Sequence, residues 1–413
     1  MGAILKADCV IVGGGIGGAV LALLLGQRGH QVILLERELT PPRIGRPEVL
    51  ARSTIALFER LGAGTRILQE AALPLHGLEV YRAGGRRLLM LSQDDFDRAG
   101  AQPYSTDPIR TRELLLEQAQ TIASVEVRRG VEVQELLRED SRVIGVRARR
   151  GDESFTVQAR LVIGDDGGHS RIRSGLGIPL TLRAFPLDFV CAAGPRLPGG
   201  SAFVGQAWID PSAIRRGIAG GIFMPIHGSR TALVFLVSPS AYERFRQSPA
   251  SVFYEAAARL SPRCSDLVAA SFRFPEGFAH LRRPFGHAPR YVADGAALLG
   301  DAAHPVTPAG GQGANMSVAD AEVLAEVLHE ALTHGDCSAS RLKRYETDRW
   351  PSNQRSIQFS VRTDTTLRLL GALPFLTPLL PWLLTRVDRS PQMKARFIRA
   401  VSQTFTTRWR EHA

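Results

Sequence analysis

The chain has 413 residues, 44% hydrophobic and 22% charged, which suits two globular units with cores of their own. Its 51 Lys and Arg against 40 Asp and Glu give a net charge of +11 and a pI near 10.2. The excess is dispersed arginine, with no long basic tract and no basic stripe interleaved with aromatics, which argues against a nucleic-acid partner. Four cysteines, Cys9, Cys191, Cys264 and Cys337, stand in no metal-ligand spacing and are too few for a disulfide framework, so a cytoplasmic protein without a metal site is expected.

The first stretch, DCVIVGGGIGGAVLALLLGQRGHQVILLER, predicts a strand over 9–12, a glycine turn, a helix to about Arg28 and a second buried strand over 32–35. That is a βαβ unit. Asp8 ahead of the apolar run and the glycines within it exclude a secretion signal. Gly13, Gly15 and Gly18 match the GxGxxG fingerprint. The first glycine allows the tight turn, the second admits a diphosphate and the third lets helix pack on strand. Ile16 and Gly17 then open the helix, whose free amides favour an anion. Glu36 ends the second strand, 18 residues after Gly18, where an acid can accept ribose hydroxyls, and Arg37 follows it.

Residues 76–91 and 185–237 read as short strands parted by Gly and Pro, in the manner of an antiparallel sheet. Strand, glycine-rich turn and helix return from Tyr291. The expected organisation is a discontinuous dinucleotide domain of 1–75, 101–180 and 286–350. A sheet domain of 76–100 and 181–285 is inserted in it, and a helical segment of 351–413 follows.

Two further motifs punctuate the chain. LVIGDDGGHSRIR (161–173) is a strand followed by Asp166-Gly167 and then Ser170 and Arg173. LLGDAAHPVTPAGGQGANMSVADA (298–321) places Asp301 at a strand end, before a Pro/Gly-rich turn and a helix from about Asn315. The three motifs in this order resemble the para-hydroxybenzoate hydroxylase-like (class A) FAD-dependent aromatic monooxygenases.

The resemblance implies an α/β fold: a Rossmann-type (GR2) FAD-binding domain with a parallel sheet, an inserted antiparallel substrate sheet and a helical C-terminal tail. It implies that the glycine turn and Glu36 hold the ADP half of FAD, that Arg46 reaches the pyrophosphate, and that Ile16, Gly17, Arg37, Arg112 and Val133 are further FAD contacts. Asp166 would serve both FAD and the NAD(P)H path, and Asp301 the ribityl chain. Pro308, Gly311, Gly313, Ala314 and Asn315 would lie along the isoalloxazine, where amides stabilise negative charge on reduced flavin. NAD(P)H would be a transient reductant, and O2 would form a flavin C(4a)-hydroperoxide that oxygenates an electron-rich carbon.

No catalytic side chain is assigned, and His304 is expected to be structural. The strand near 206–209 lacks a Tyr and the run 231–237 lacks an internal Arg, so a benzoate-like acid is not the expected substrate. Trp208, Phe223, Met224 and Phe235 are candidates for a lipophilic pocket, with ordinary sheet core as the other reading. The uncharged run LLGALPFLTPLLPWLLT (369–385) is short for a membrane span and broken by Pro374, Pro378 and Pro381. It reads as a buried cap, or as a lid or peripheral membrane contact through 367–399 on the inner face. The expected reaction is hydroxylation or epoxidation of a lipophilic aromatic or polycyclic compound in secondary metabolism, by a monomer or homodimer. A flavin-dependent reductase and a flavoprotein that binds a pathway intermediate without turnover are the alternatives.

Overall fold

Ile4–Val12 forms the first strand because its second half is an unbroken apolar run. It pairs in parallel with Val32–Glu36 on one side and Glu153–Gly164 on the other. All five residues of Val32–Glu36 are buried, as a strand covered on both faces requires. The computed structural model describes residues 3–42, 47–196, 201–261, 273–308 and 310–402. An eight-stranded sheet runs in the order Val292–Ala293, Ala296–Leu298, Glu153–Gly164, Ile4–Val12, Val32–Glu36 and Val125–Arg129. Arg142–Arg150 and Glu132–Glu139 extend it as antiparallel strands.

The register matters for function. Val12 lies opposite Gly164, and Gly164 opposite Leu298. Three sequence motifs from distant parts of the chain therefore leave the sheet together, at the carboxyl ends of adjacent parallel strands, where open α/β sheets bind ligands. Two buried helices back this edge. Ile16–Gly26 is apolar nearly all round and buries nine of its eleven residues. It packs against Gln312–His334.

A second sheet of seven strands runs Ala279–Leu281, Asp188–Pro195, Arg230–Val237, Ile218–Ile226, Val204–Ile209, Gly77–Arg82 and Arg87–Ser92. It is antiparallel except where Val204–Ile209 meets Gly77–Arg82 in parallel. Successive side chains face opposite sides. On one side Trp208, Phe223 and Phe235 join Phe245, Phe253 and Phe274 beneath helices Pro239–Arg246 and Ala250–Leu260. On the other, Phe189, Cys191, Ile222 and Val234 meet Leu367 and Leu370 of the long helix Ala339–Ala372.

That long helix joins the two units. Ser338 caps its start, and the Tyr345 hydroxyl donates to the Leu298 carbonyl of the first sheet at 3.0 Å. Its last turns rest on the second sheet. The expected boundary between 350 and 351 therefore falls inside one continuous helix, which carries Pro351 in its interior. Beyond it, Leu379–Asp388 and Pro391–Ser402 pack over Val80, Leu89 and Leu91.

Candidate functional site

The turn after the first strand is possible only with glycine. Gly13 has φ +110°, and a Cβ there would lie 2.2 Å from the Asp165 carbonyl oxygen. The next amide, Gly14 N–H, donates to Glu36 Oε2 at 2.8 Å, while Glu36 Oε1 accepts from Glu38 N–H at 2.7 Å. The helix Ile16–Gly26 begins at Gly15 without a side-chain cap and without an acid in its first turn. The amides of Ile16 and Gly17 thus face the carboxyl edge of the sheet with no helical acceptor. Arg112 stands 3.2 Å from Glu36 Oε2 through Nη2. Its Nε and Nη2 atoms are buried and lack a hydrogen-bond partner among the described residues. Arg112 also pairs with Glu38 and Glu113, and the two donors without hydrogen-bond geometry leave it able to take a further acceptor.

The Asp pair at 165 and 166 divides two tasks. Asp166 accepts from Ser170 Oγ at 2.5 Å and from the amides of Arg171 and Ile172, so its carboxylate caps the short helix Arg171–Gly175. Asp165 points inward and accepts the Gly18 amide at 2.7 Å. Burial pushes its carboxyl well above the usual range. The Gly18 bond opposes this, and Asp301, Asp166 and Glu36 add to it. A Cβ at Gly300 would come 3.0 Å from Asp165 Oδ1 and 2.7 Å from Ser317 Oγ, so Asp165 fastens the first motif directly beneath the third.

At that third motif, Asp301 keeps about a third of its side chain exposed and has a long contact, 3.5 Å, with Arg283. The Gly311 amide donates to the Pro308 carbonyl at 3.0 Å. Gly311, at φ +64°, then opens Gln312–His334, again without a side-chain cap or an acid in the first turn. The first amides of that helix, through Ala314, are left without helical acceptors. Asn315 does more with its side chain: Oδ1 accepts from Ala51 N–H and Thr54 Oγ1, and Nδ2 donates to the Val49 carbonyl. It ties the strand Glu48–Ala51 to the helix start. Gln312 Nε2 is buried without a hydrogen-bond partner among the described residues.

Val133 is the one buried residue of the strand Glu132–Glu139, next to the segment whose Val131 amide donates to the Glu36 carbonyl. Arg37 is exposed, and Arg46 lies outside the described residues. Behind the motif, His304 hydrogen-bonds to Asp320, which also accepts from Arg349 Nε at 2.6 Å and Asn353 Nδ2 at 3.0 Å. Asn353 reaches Tyr291, which contacts His287. Burial disfavours charge on Asp320, yet His304 and Arg349 outweigh it and hold that carboxyl below its ordinary range. His304 is thereby committed to structure. Among the described residues, no three His, Cys, Asp or Glu converge as a metal site.

These glycine turns, acids and unmet donors have a counterpart in known proteins: a family model described as FAD binding domain matches residues 6–360. The chain belongs to that family. It is 27% identical over 360 residues to 3-demethoxyubiquinol 3-hydroxylase of Escherichia coli, covering 84% of this chain and 86% of the relative. It is also 27% identical over 378 residues to 6-methylpretetramide 4-monooxygenase of Streptomyces rimosus, covering 88% and 85%. Among solved structures, Pseudomonas aeruginosa PqsL in complex with 2-aminobenzoylacetate superposes with a TM-score of 0.75 at 25% identity, covering 95% of this chain and 99% of that one.

FAD is therefore the cofactor of this flavoprotein, and the residues present fit it. The uncapped amides at Ile16 and Gly17 suit a diphosphate, Glu36 stands beside the turn, and Arg112 has donors to spare. Sequence reasoning missed three supports of this site. Asp165 was hidden beside Asp166, the Asn315 side chain beside its own amide, and Gln312 has no motif signal at all. The four candidates for a lipophilic pocket lie on opposite faces of the second sheet. Trp208, Phe223 and Phe235 are buried on the helix-covered face of the second sheet. Met224, one residue from Phe223, points the other way, with its sulfur near Gly205.

Proposed function

We propose that this flavoprotein is an NAD(P)H-driven monooxygenase that places one atom of O2 into a lipophilic aromatic or polycyclic substrate, by hydroxylation or epoxidation. Bound FAD, once reduced by NAD(P)H, supplies the two electrons with which O2 gives one oxygen atom to the substrate and the other to water. The chain's part is to bind, orient and exclude water. In this reading Ile16 and Gly17 amides hold the diphosphate, Glu36 and Arg112 the ADP-ribose end, and Asp301 the ribityl chain. Asp166 keeps the DG turn in place at the NAD(P)H side. The free amides of Gly313 and Ala314 would donate toward the electron-rich edge of the flavin ring, as an oxyanion hole does, with Asn315 fixing the helix start beside them.

The observation that carries the substrate class is the apolar wall beside the third motif. Val306 packs with Met316, Ile357 and Val361, and Val361 continues into the sheet face of Phe189, Cys191, Ile222 and Val234. A wall of this kind excludes water from a reactive centre and suits an apolar ring. The proposal is tested by NAD(P)H oxidation in air with a panel of lipophilic aromatic compounds. Stimulated oxidation with a product 16 mass units heavier supports it; a product heavier by two hydrogens, formed without O2, would support a reductase instead.

A further inference from the structure

Eleven large hydrophobic side chains are exposed among the described residues, and seven of them fall within residues 369–393. Phe375 is 74% exposed, Trp382 55% and Leu383 52%. The cause is a corner. The long helix and the segment Pro374–Asp388 meet at 114°, with Phe375 at the bend. Inward from the corner, Leu376, Leu380, Leu384 and Val387 pack on the second sheet. Outward, Leu379, Trp382 and Leu383 are half exposed among the described residues. A helix with apolar side chains on both sides, of which one side is left in the open by the described residues, suits a second apolar phase.

No single described helix is long and apolar enough to cross a membrane. The ten residues of Leu379–Asp388 span roughly 15 Å against a hydrocarbon core of about 30 Å. The exposed charged side chains of residues 362–402 have one sign. Arg362, Arg368, Arg386, Arg389, Arg396 and Arg399 are exposed. The two acids of residues 362–402 are both engaged: Asp364 is buried between Arg183 and Arg368, and Asp388 holds the Met90 amide and Lys394. Arg386 lies over the Trp382 ring, 5.3 Å from its centroid.

We propose that this corner docks on an anionic lipid bilayer. Phe375, Leu379, Trp382 and Leu383 enter the boundary between headgroups and acyl chains, and the surrounding arginines meet lipid phosphates. The corner is assigned to the interface rather than across it, because no single described helix is long and apolar enough to span the bilayer. The docking stands apart from the reaction. That it lets a lipophilic substrate pass from the bilayer to the flavin rests on the function proposed above.

The test is co-sedimentation of the full-length flavin-loaded protein with vesicles of phosphatidylcholine alone or mixed with phosphatidylglycerol. Binding to the anionic vesicles should be about tenfold stronger or more, and should weaken as salt rises. The double variant Phe375→Ser/Trp382→Ser should lose most of that binding with its flavin absorbance unchanged. Val252→Ser, an exposed apolar site on another helix, should keep it. Equal binding to both vesicle types, or full binding by the double variant, would overturn the proposal. So would a dimer that the double variant dissolves, since a second copy would then cover the corner. Vesicle binding without oxygenation, or the reverse, tells the two proposals apart.

Discussion

The Asp165 carboxylate accepts the Gly18 amide at 2.7 Å across 147 residues of chain, and so locks the last glycine of the nucleotide turn to the end of a neighbouring strand. Its carboxyl is raised by burial first. A raised folded-state pKa stabilises the fold below the ordinary carboxylate pKa, and that contribution fades as pH rises through the folded value. Asp165→Asn keeps an acceptor without the charge. It should match or exceed the parent in thermal stability at pH 8. Asp165→Ala leaves the amide unpaired and should cost about 1–3 kcal/mol. Thermal unfolding of both variants at pH 5 and pH 8 checks this; an Asn variant less stable than the parent at pH 8 would contradict it.

Among the described residues Asp301 has only a long contact to a half-exposed Arg283, so its loss should hardly affect folding, by about 0.5 kcal/mol or less. If it orients the ribityl chain, Asp301→Ala should purify with markedly less FAD and regain it only at high added FAD. The flavin-to-protein absorbance ratio reads this directly. Full occupancy at the parent's affinity would remove Asp301 from the site.

The network behind the site makes the protein sensitive to acid. Burial lowers the pKa of His287 to about 4, against a smaller opposing effect of its bond to Gln354. The unfolded chain therefore takes up a proton first as pH falls from about 6.5, and stability declines with it. The loss by pH 4 should be on the order of 2 kcal/mol, discounted for the solvent that reaches a partly buried ring. Asp320 acts in the same direction at still lower pH, because its depressed pKa protects the fold only above the ordinary carboxylate range. His287→Gln should flatten the upper part of this profile in denaturant melts; an unchanged slope would contradict the assignment.

The two faces of the second sheet predict different phenotypes. Trp208→Ala and Phe223→Ala empty the aromatic core and should cost about 3–5 kcal/mol. Met224→Leu conserves volume and should cost less than about 1.5 kcal/mol, while moving KM for the substrate. Chemical denaturation and steady-state kinetics together separate the cases. A stable Trp208→Ala enzyme with altered KM would return Trp208 to the pocket.

Much of this was legible in the chain because its signals are local. The apolar run before Gly13, the glycine spacing and Glu36 at a strand end each depend on neighbours in sequence. The order of the three motifs carried the family. What stayed hidden depends on long-range placement. Asp165 and Asp166 are chemically identical, and only the sheet register decides which one turns inward. Trp208, Phe223 and Met224 read as one apolar set until the helices choose a face to cover. The prolines after residue 373 announce a break, but only the 114° corner divides the leucines into those on the sheet and those in the open.

Oxygen transfer is measured most directly by turnover under 18O2 with a lipophilic aromatic substrate and NAD(P)H. One labelled oxygen atom in the product, with the second in water, is the predicted result. Product carrying oxygen only from water, or product formed equally well without O2, would contradict it.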